Sequence, residues 1–210
     1  AILDAGTQAA DATLSVGGSD TWYWDFEVTN SNPSRPSRGS GINVGSVNGS
    51  RTKFINLYVH DTQLGFGAWS NAADVEIYGN IILNSGYEAS DRGHGHAIYI
   101  QNASGSKTVE DNIIMNGFSF GVHAYTENGS INNINVKGNT FSNEGILSAV
   151  SGTKANILFR GGNAQNPVVT GNMSYYSPIY SGGRSLDLNS CVNGVVNNNY
   201  LVSEKGTALN

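Results

Sequence analysis

Charge, cysteine and long apolar runs are all scarce in this sequence, and each scarcity argues against a class of protein. Charged residues make up 13% of the chain, and 11 basic side chains stand against 16 acidic ones, a net charge of −5. A weakly acidic chain with no basic run is not suited to nucleic-acid binding. Its apolar runs are only a few residues long, too short for insertion into a membrane. Because Cys191 is the single cysteine, an intrachain disulfide is excluded.

Helical periodicity is also missing. No long segment carries apolar residues at the i, i+3, i+4, i+7 spacing of an amphipathic helix. Short alternating segments appear instead, separated by glycine, asparagine and serine, which is typical of strands joined by turns. We therefore expect residues 1–210 to form a single all-β domain. The chain begins without a methionine or a signal peptide, so we expect a processed or trimmed part of a longer, secreted bacterial protein.

What the chain does contain is a repeat. The segments "VEIYGNIILN" (75–84), "INVKGNTFSN" (134–143) and "PVVTGNMSYY" (167–176) share one plan, in which an apolar residue precedes an asparagine by three positions. Two looser copies complete a set spaced 27 to 33 residues apart: Asn80, Asn112, Asn139, Asn172 and Asn199. Such a period predicts a solenoid, whose coils stack equivalent residues about 4.8 Å apart. The asparagines are then expected to form a buried amide ladder.

The same pattern makes two further predictions about asparagine positions. Upstream, "FEVTNS" and "INLYVH" place Ser31 and His60 in the ladder slot. Downstream of each ladder strand, a second and shorter ladder is predicted for Asn84, Asn116 and Asn143.

A second family of strands precedes the ladder strands, and it includes "GFGAW" (65–69), "AIYIQ" (97–101) and "GVHAY" (121–125). Since successive residues of a strand face opposite sides, the small and apolar members are assigned to the core. These are Phe66, Ala68, Ile98, Ile100, Val122, Ala124, Leu186 and Leu188. The outward members are predicted to stack into one surface: Trp69, Tyr99, Gln101, His123, Tyr125, Asp187 and Asn189.

Several of these segments, among them "TKFINLYVHDT", "DRGHGHAIYIQN" and "GVHAYTENG", resemble bacterial right-handed parallel β-helix repeat proteins of the pectate-lyase-like superfamily. The likeness extends from Trp22 to Leu201. It implies a right-handed parallel β-helix, and the ladder slots indicate about seven or eight coils without evident caps. The superfamily implies polysaccharide lyases, polysaccharide hydrolases, phage tailspikes and passive solenoids.

His94 and His96 admit three interpretations. In a straight strand both imidazoles would be buried, at a cost of about 1–3 kcal/mol each if unpaired, so we expect a bend at Gly93 or Gly95. The bend would leave a histidine at a corner, bonded to backbone. Alternatively the pair serves catalysis or ligand binding. A zinc site would need a third and fourth ligand, and Asp91 is the single further candidate, so no metal or cofactor is predicted.

The resemblance implies several kinds of reaction, and the sequence argues against two of them. "GHG" is similar to a motif of polygalacturonase-type hydrolases, in which paired aspartates on the neighbouring coil act as acid and base. Here the neighbouring strand reads "GFGAWS" and has no carboxylate, which argues against hydrolysis. Clustered acids for a calcium-dependent lyase are missing from that face too. A metal-independent, lyase-like arrangement remains.

β-Elimination from a uronic acid needs a base for the C5 proton and groups that stabilise the carboxylate. We predict His123 and Tyr99 as the proton-transfer pair, and Arg160 and His96 as the groups that neutralise the carboxylate. Predicted substrate-binding residues are Trp69, Gln101, Tyr125, Asp187 and His94. The competing interpretation is that the aromatic row only packs under loops.

Two functions follow as expectations. The first is an extracellular module that binds polysaccharide and, if it is an enzyme, cleaves it as a lyase. The second is a structural subunit: both ends lack an evident cap, and uncovered strand edges favour head-to-tail self-association into an extracellular fibre.

Overall fold

The chain winds into a β-helix of about seven turns, and the strands of successive turns form three parallel β-sheets. The computed structural model describes residues 1–8, 11–150, 152–177, 183–204 and 208–209. Each coil passes through the three sheets in a fixed order, here numbered 1 to 3, and every strand pairs in parallel with its equivalents one coil away. The predicted all-β solenoid is therefore confirmed.

Sheet 1 holds seven strands: Ala12–Val16, Ser40–Val44, Leu64–Ala68, His96–Ile100, Phe120–Tyr125, Lys154–Arg160 and Gly183–Leu188. Sheet 2 holds seven: Trp22–Trp24, Lys53–Ile55, Val75–Tyr78, Lys107–Glu110, Ile134–Lys137, Val168–Thr170 and Val195–Asn197. Sheet 3 holds eight: Ile2–Asp4, Glu27–Thr29, Tyr58–His60, Ile81–Leu83, Ile113–Met115, Thr140–Ser142, Met173–Tyr176 and Tyr200–Ser203.

Within the described ranges, two short strand pairs and a 3₁₀ turn lie outside these sheets. Tyr87–Glu88 and Gly93–His94 form an antiparallel hairpin between sheets 3 and 1. Ala164–Gln165 pairs in parallel with Cys191–Val192. A 3₁₀ turn spans Arg35–Ser37.

The core is a single column of apolar side chains inside the coils. Seven of the eight residues predicted to point inward from sheet 1 are buried, and Leu188 packs against them half-buried. Aromatic rings fill the widest layers, with Phe54, Phe66, Phe141 and Phe159 fully buried. Full burial of one such side chain contributes about 1.5–3 kcal/mol, so stacking the coils is what stabilises them.

The predicted asparagine ladder is present and continuous. Nδ2 of Asn80 donates to Oδ1 of Asn112 at 2.9 Å, and the same bond links Asn112 to Asn139 at 2.9 Å. The ladder continues from Asn139 to Asn172 at 3.0 Å and from Asn172 to Asn199 at 2.9 Å. Each acceptor oxygen also takes the backbone N–H of the preceding asparagine, as Asn139 Oδ1 does from Asn112 at 2.9 Å. The amides thus satisfy buried backbone groups that would otherwise be unpaired.

The upstream extension of the ladder was predicted wrongly. Tyr58 pairs with Ile81, so the residue level with Asn80 is Leu57, whose N–H donates to Asn80 Oδ1 at 2.8 Å. His60 lies three positions later, level with Leu83. Ser31 is misplaced for the same reason, because both segments belong to sheet 3 and not to the strand that leads into the ladder.

The second predicted ladder is a column of turn residues. Asn84, Asn116 and Asn143 follow the strands of sheet 3, and all three have left-handed φ values of 54° to 59°. Asparagine tolerates this conformation better than most residues. Their backbone N–H groups bond the next coil, as Asn116 does to Ser142 O at 3.1 Å, so the backbone and not the amides joins this column.

Two ionisable side chains are buried inside the coils. Lys107 is fully buried, and its Nζ donates to Gln101 O at 2.7 Å and to the carbonyls of Ala68 and Trp69. Glu144 is also fully buried, and burial raises its pKa to about 8. The backbone N–H of Gly117 faces the carboxyl and opposes this rise in pKa, but neither carboxyl oxygen makes a well-formed hydrogen bond among the described residues.

Candidate functional site

The outward face of sheet 1 brings together residues from four successive coils. Tyr99 pairs with His123, His123 with Leu158, and Leu158 with Asp187, so these four form one column. Tyr125 pairs with Arg160 at the end of the strands. The face predicted from strand alternation therefore exists as a surface.

His96 reaches this face because the backbone bends just before and within its strand. Gly95 has a φ of +83°, a conformation that glycine adopts without strain. A Cβ at Gly95 would also overlap the carbonyl of Gln63. Ala97 and Ile98 are both buried, so two consecutive residues face inward and His96 faces outward. The bend expected at Gly93 or Gly95 is thus found at Gly95.

His96 and His123 form a hydrogen-bonded imidazole pair. Nε2 of His96 lies 3.0 Å from Nδ1 of His123, and the ring centroids are 4.2 Å apart. Burial lowers the pKa of His123 to about 3, with a smaller contribution from the positive charge of Arg92. Burial, followed by the neighbouring His123, also lowers the pKa of His96 well below 6.5. Both rings are therefore neutral at physiological pH, and His96 supplies no positive charge.

Aromatic rings surround the pair. Phe120 stacks on His123 at 4.5 Å and Tyr125 stacks on it at 5.0 Å. Tyr99 meets it edge-on at 5.2 Å. Burial raises the pKa of Tyr99, so its hydroxyl stays protonated and can donate a hydrogen bond.

This cluster forms the floor of a cleft of about 430 Å³. Its walls carry three charged side chains, Arg92, Glu127 and Arg160. Among the described residues, no carboxylate lies within salt-bridge distance of Arg160. The cleft therefore offers a guanidinium group beside aromatic rings and a neutral imidazole.

A second cleft of about 650 Å³ adjoins the first at the ends of the sheet 1 strands. Tyr125 and Arg160 line both, so together they mark the junction. Polar groups of Asn163, Asn189 and Ser190 line the second cleft. The two clefts form one groove across the coils, and Arg160 stands at its middle.

Five of the nine predicted site residues line this groove: His96, Tyr99, His123, Tyr125 and Arg160. Trp69 and Gln101 are on the same face but not in either lining. The indole Nε1–H of Trp69 bonds Asn43 Oδ1 at 2.8 Å, and the amide of Gln101 bonds Tyr125 O at 3.2 Å. Both therefore support the face without forming its floor.

Two other predicted binding residues lie apart from the groove. Asp187 is 1% exposed and accepts a bond from Arg184 Nη1 at 2.8 Å, so its carboxylate is engaged inside the fold. His94 bonds Asp91 at 2.9 Å and stacks on Tyr87 at 5.2 Å, within the hairpin.

The main cleft residue that the sequence analysis did not identify is Arg92. Arg92 is in the turn of the hairpin, and the hairpin is held over the coils by Glu88, whose Oε1 accepts the N–H groups of Ala149 and Val150 at 2.9 and 3.2 Å. This contact spans two coils, so no local pattern signals it. Phe120 is different: it precedes "GVHAY" in the same strand, and extending that segment by one residue would have included it.

The described residues contain no group of three or more histidine, cysteine or acidic side chains placed to hold a metal ion. In the same part of the chain, no helix is long and apolar enough to cross a membrane.

A stack of parallel coils with a polar and aromatic groove on one face defines a parallel β-helix solenoid. Residues 10–170 match the family described as "Right handed beta helix region", and the chain belongs to that family. Comparison with curated proteins and comparison with solved structures each gave no match.

Proposed function

We propose that the protein binds an acidic polysaccharide along the groove on sheet 1. The observation that carries this proposal is the position of Arg160, a guanidinium that has no carboxylate partner in the described ranges and lies where two clefts meet. Guanidinium groups pair with carboxylates through two parallel hydrogen bonds. A uronic acid unit is the sugar that carries such a carboxylate.

The surroundings of Arg160 fit a sugar chain in two further respects. Tyr125 borders both clefts, and the apolar face of a sugar ring packs on an aromatic ring. The tyrosine hydroxyl of Tyr99 and the polar groups of Asn163 and Asn189 can meet hydroxyl groups of neighbouring units. The likeness to pectate-lyase-like proteins noted from the sequence supports the same ligand class. Since polymers of this kind lie outside cells, we also propose an extracellular location.

Binding should be measured by calorimetry with uronate oligosaccharides and with a neutral glucan of equal length. We expect the uronate oligosaccharides to bind and the neutral glucan not to bind. Added salt should lower the affinity for uronates, because it screens the charges. Arg160→Gln should weaken binding about tenfold or more, since a hydrogen bond to a charged group is worth about 1.5–3 kcal/mol. Arg51→Gln is the matched control, because Arg51 does not line the groove. Its Nε lies 2.6 Å from Asp20 Oδ1, so its charge is already paired. Equal affinity for the neutral glucan, or full affinity in Arg160→Gln, would contradict the proposal.

Cleavage by β-elimination is a second candidate, favoured by the contact of Tyr99 and His123 on one cleft floor. It requires His123 to accept a proton through Nε2. Incubation with the same uronates would then produce unsaturated ends that absorb in the near ultraviolet. Bound but uncleaved uronates would limit the function to binding.

A further inference from the structure

The imidazole pair can carry its protons in two arrangements, and they give the cleft opposite chemistry. One hydrogen joins His123 Nδ1 and His96 Nε2, so one nitrogen donates and the other accepts. A neutral imidazole has one N–H, and the donor of the bond therefore has a bare second nitrogen. The second nitrogen of the acceptor ring must carry the remaining proton.

The buried environment of His96 distinguishes these arrangements. Nδ1 of His96 is buried and has no hydrogen-bond partner among the described residues. If His123 were the donor, this orphaned nitrogen would hold a proton, and orphaned N–H groups are rarer in folded proteins than orphaned acceptors. If His96 is the donor, the orphaned nitrogen is a bare lone pair.

His123 presents its other nitrogen to the cleft. Nδ1 is engaged by His96, and Nε2 has no hydrogen-bond partner within the described part of the chain and is not among its fully buried, unpaired polar atoms. Since His123 lines the cleft between Phe120 and Tyr125, Nε2 is the atom through which it meets a ligand.

We propose that His96 is a positioning residue that fixes His123 as its Nε2–H tautomer, so that His123 acts on a bound sugar as a neutral hydrogen-bond donor. His123 then joins the Tyr99 hydroxyl and Arg160 as a set of donors aimed at acceptor oxygens, such as those of a carboxylate. A group that already holds a proton at Nε2 cannot remove one from a sugar. This proposal gives His123 a binding role, whereas β-elimination requires it as a base with a bare Nε2, so the two make opposite predictions for the proton on Nε2. The ligand part rests on the proposed function, whereas the tautomer does not.

The charges that face the pair come from three elements. Arg92 approaches from the hairpin, Arg160 from the next strand of sheet 1, and Glu127 from the segment after Phe120–Tyr125. The phenols of Tyr99 and Tyr125 complete the titratable groups of the cleft. Burial and the positive charge of Arg92 disfavour an imidazolium on both rings, and His94 adds to this at His96, which agrees with the lowered pKa of both histidines. The tautomer should therefore persist over a wide pH range.

Nitrogen-15 NMR of the unliganded protein tests the tautomer directly, because protonated and bare imidazole nitrogens resonate far apart. The chain has 4 histidines, and His60→Gln and His94→Gln assign the two that lie outside the pair. We expect protons on Nε2 of both His96 and His123, unchanged between pH 7 and pH 5. A proton on Nδ1 of His123, or titration of either ring near its ordinary pKa, would overturn the inference.

A variant and a ligand complete the experiment. His96→Phe removes the donor, so His123 should populate both tautomers; an unchanged, single Nε2–H tautomer would show that His96 does not set it. Addition of a uronate oligosaccharide to the intact protein should move the Nε2–H signal of His123. If the tautomer is as expected but no uronate moves this signal, the proposed ligand is wrong and the tautomer assignment stands.

Discussion

The buried carboxyl of Glu144 makes the stability of the fold depend on pH in a direction that can be worked out. Its pKa is raised from 4.5 to about 8 because burial penalises the charged form. The folded state therefore holds this proton more tightly than the unfolded chain does. Below pH 4.5 both states are protonated and the group costs nothing. Between pH 4.5 and 8 the unfolded state ionises first, so stability falls as pH rises.

The size of the effect follows from the shift. Each pKa unit is worth about 1.4 kcal/mol, so Glu144 should remove about 2–3 kcal/mol of stability between pH 5 and pH 7, and about 4 kcal/mol in total by pH 8. Glu144→Gln keeps the shape of the neutral acid and cannot ionise. The variant should match the original protein at pH 4.5 and exceed it increasingly above that.

Urea unfolding followed by circular dichroism at pH 5, 6, 7 and 8 gives the free energies of unfolding. Glu110→Gln is the matched control, because Glu110 is half-buried on the outside of sheet 2. A constant difference between the original protein and Glu144→Gln across these pH values would refute the reasoning.

The position of the Glu144 carboxyl has a test of its own. A Cβ on Gly117 would overlap Glu144 Oε2, so Gly117→Ala should be strongly destabilising. The same substitution should destabilise the protein less when it is combined with Glu144→Ala.

Three further predictions concern the coils and their ends. Asn139→Ala breaks the amide ladder at its middle and should lower the free energy of unfolding in urea by about 1–3 kcal/mol. The control is Asn135→Ala on the outer face. An equal loss of only a few tenths of a kcal/mol in both variants would contradict the ladder's role. Lys107→Met leaves buried carbonyls unpaired and should cost about 3 kcal/mol by the same measurement; an unchanged midpoint would show that water replaces the ammonium. End-to-end association, expected from the sequence, should be abolished by Leu201→Pro with Val202→Lys in the strand Tyr200–Ser203, and identical monomeric sedimentation before and after the change would refute it.

The sequence predicted the features that repeat and missed those that do not. The asparagine recurs at five successive positions of the repeat and the alternation recurs in several strands of sheet 1, so these patterns revealed the solenoid, the ladder and the face that holds Tyr99 and His123. His60 was wrongly assigned to the ladder because the position level with Asn80 in that coil holds Leu57. Without an asparagine there, the sequence does not show how that coil aligns with the next.

Contacts between coils were invisible to local patterns. Lys107 has the polarity of a surface residue, yet it is level with Val75 and Ile134 in the core, and the carbonyls it binds come from a different sheet. Asp187 alternates outward with its strand but is engaged by Arg184 from the same strand. Arg92 enters the cleft only because Glu88 anchors its hairpin to a loop two coils away. Such features require the stacked structure, since they join residues that no single repeat contains.

The unequal lengths of the coils have a consequence for how the groove can change. The ladder asparagines are 27 residues apart in the short coils and 32 or 33 in the long ones. In both long coils the extra residues enter between sheets 3 and 1, at 84–95 and 143–153, and these segments carry Arg92 and Thr153 into the cleft wall. The strands before and after each insertion keep their pairing with the neighbouring coils, whatever the length of the insertion. Deletions or insertions at these two places would therefore remodel the cleft while the amide ladder and the apolar column pass through the same coils unaltered.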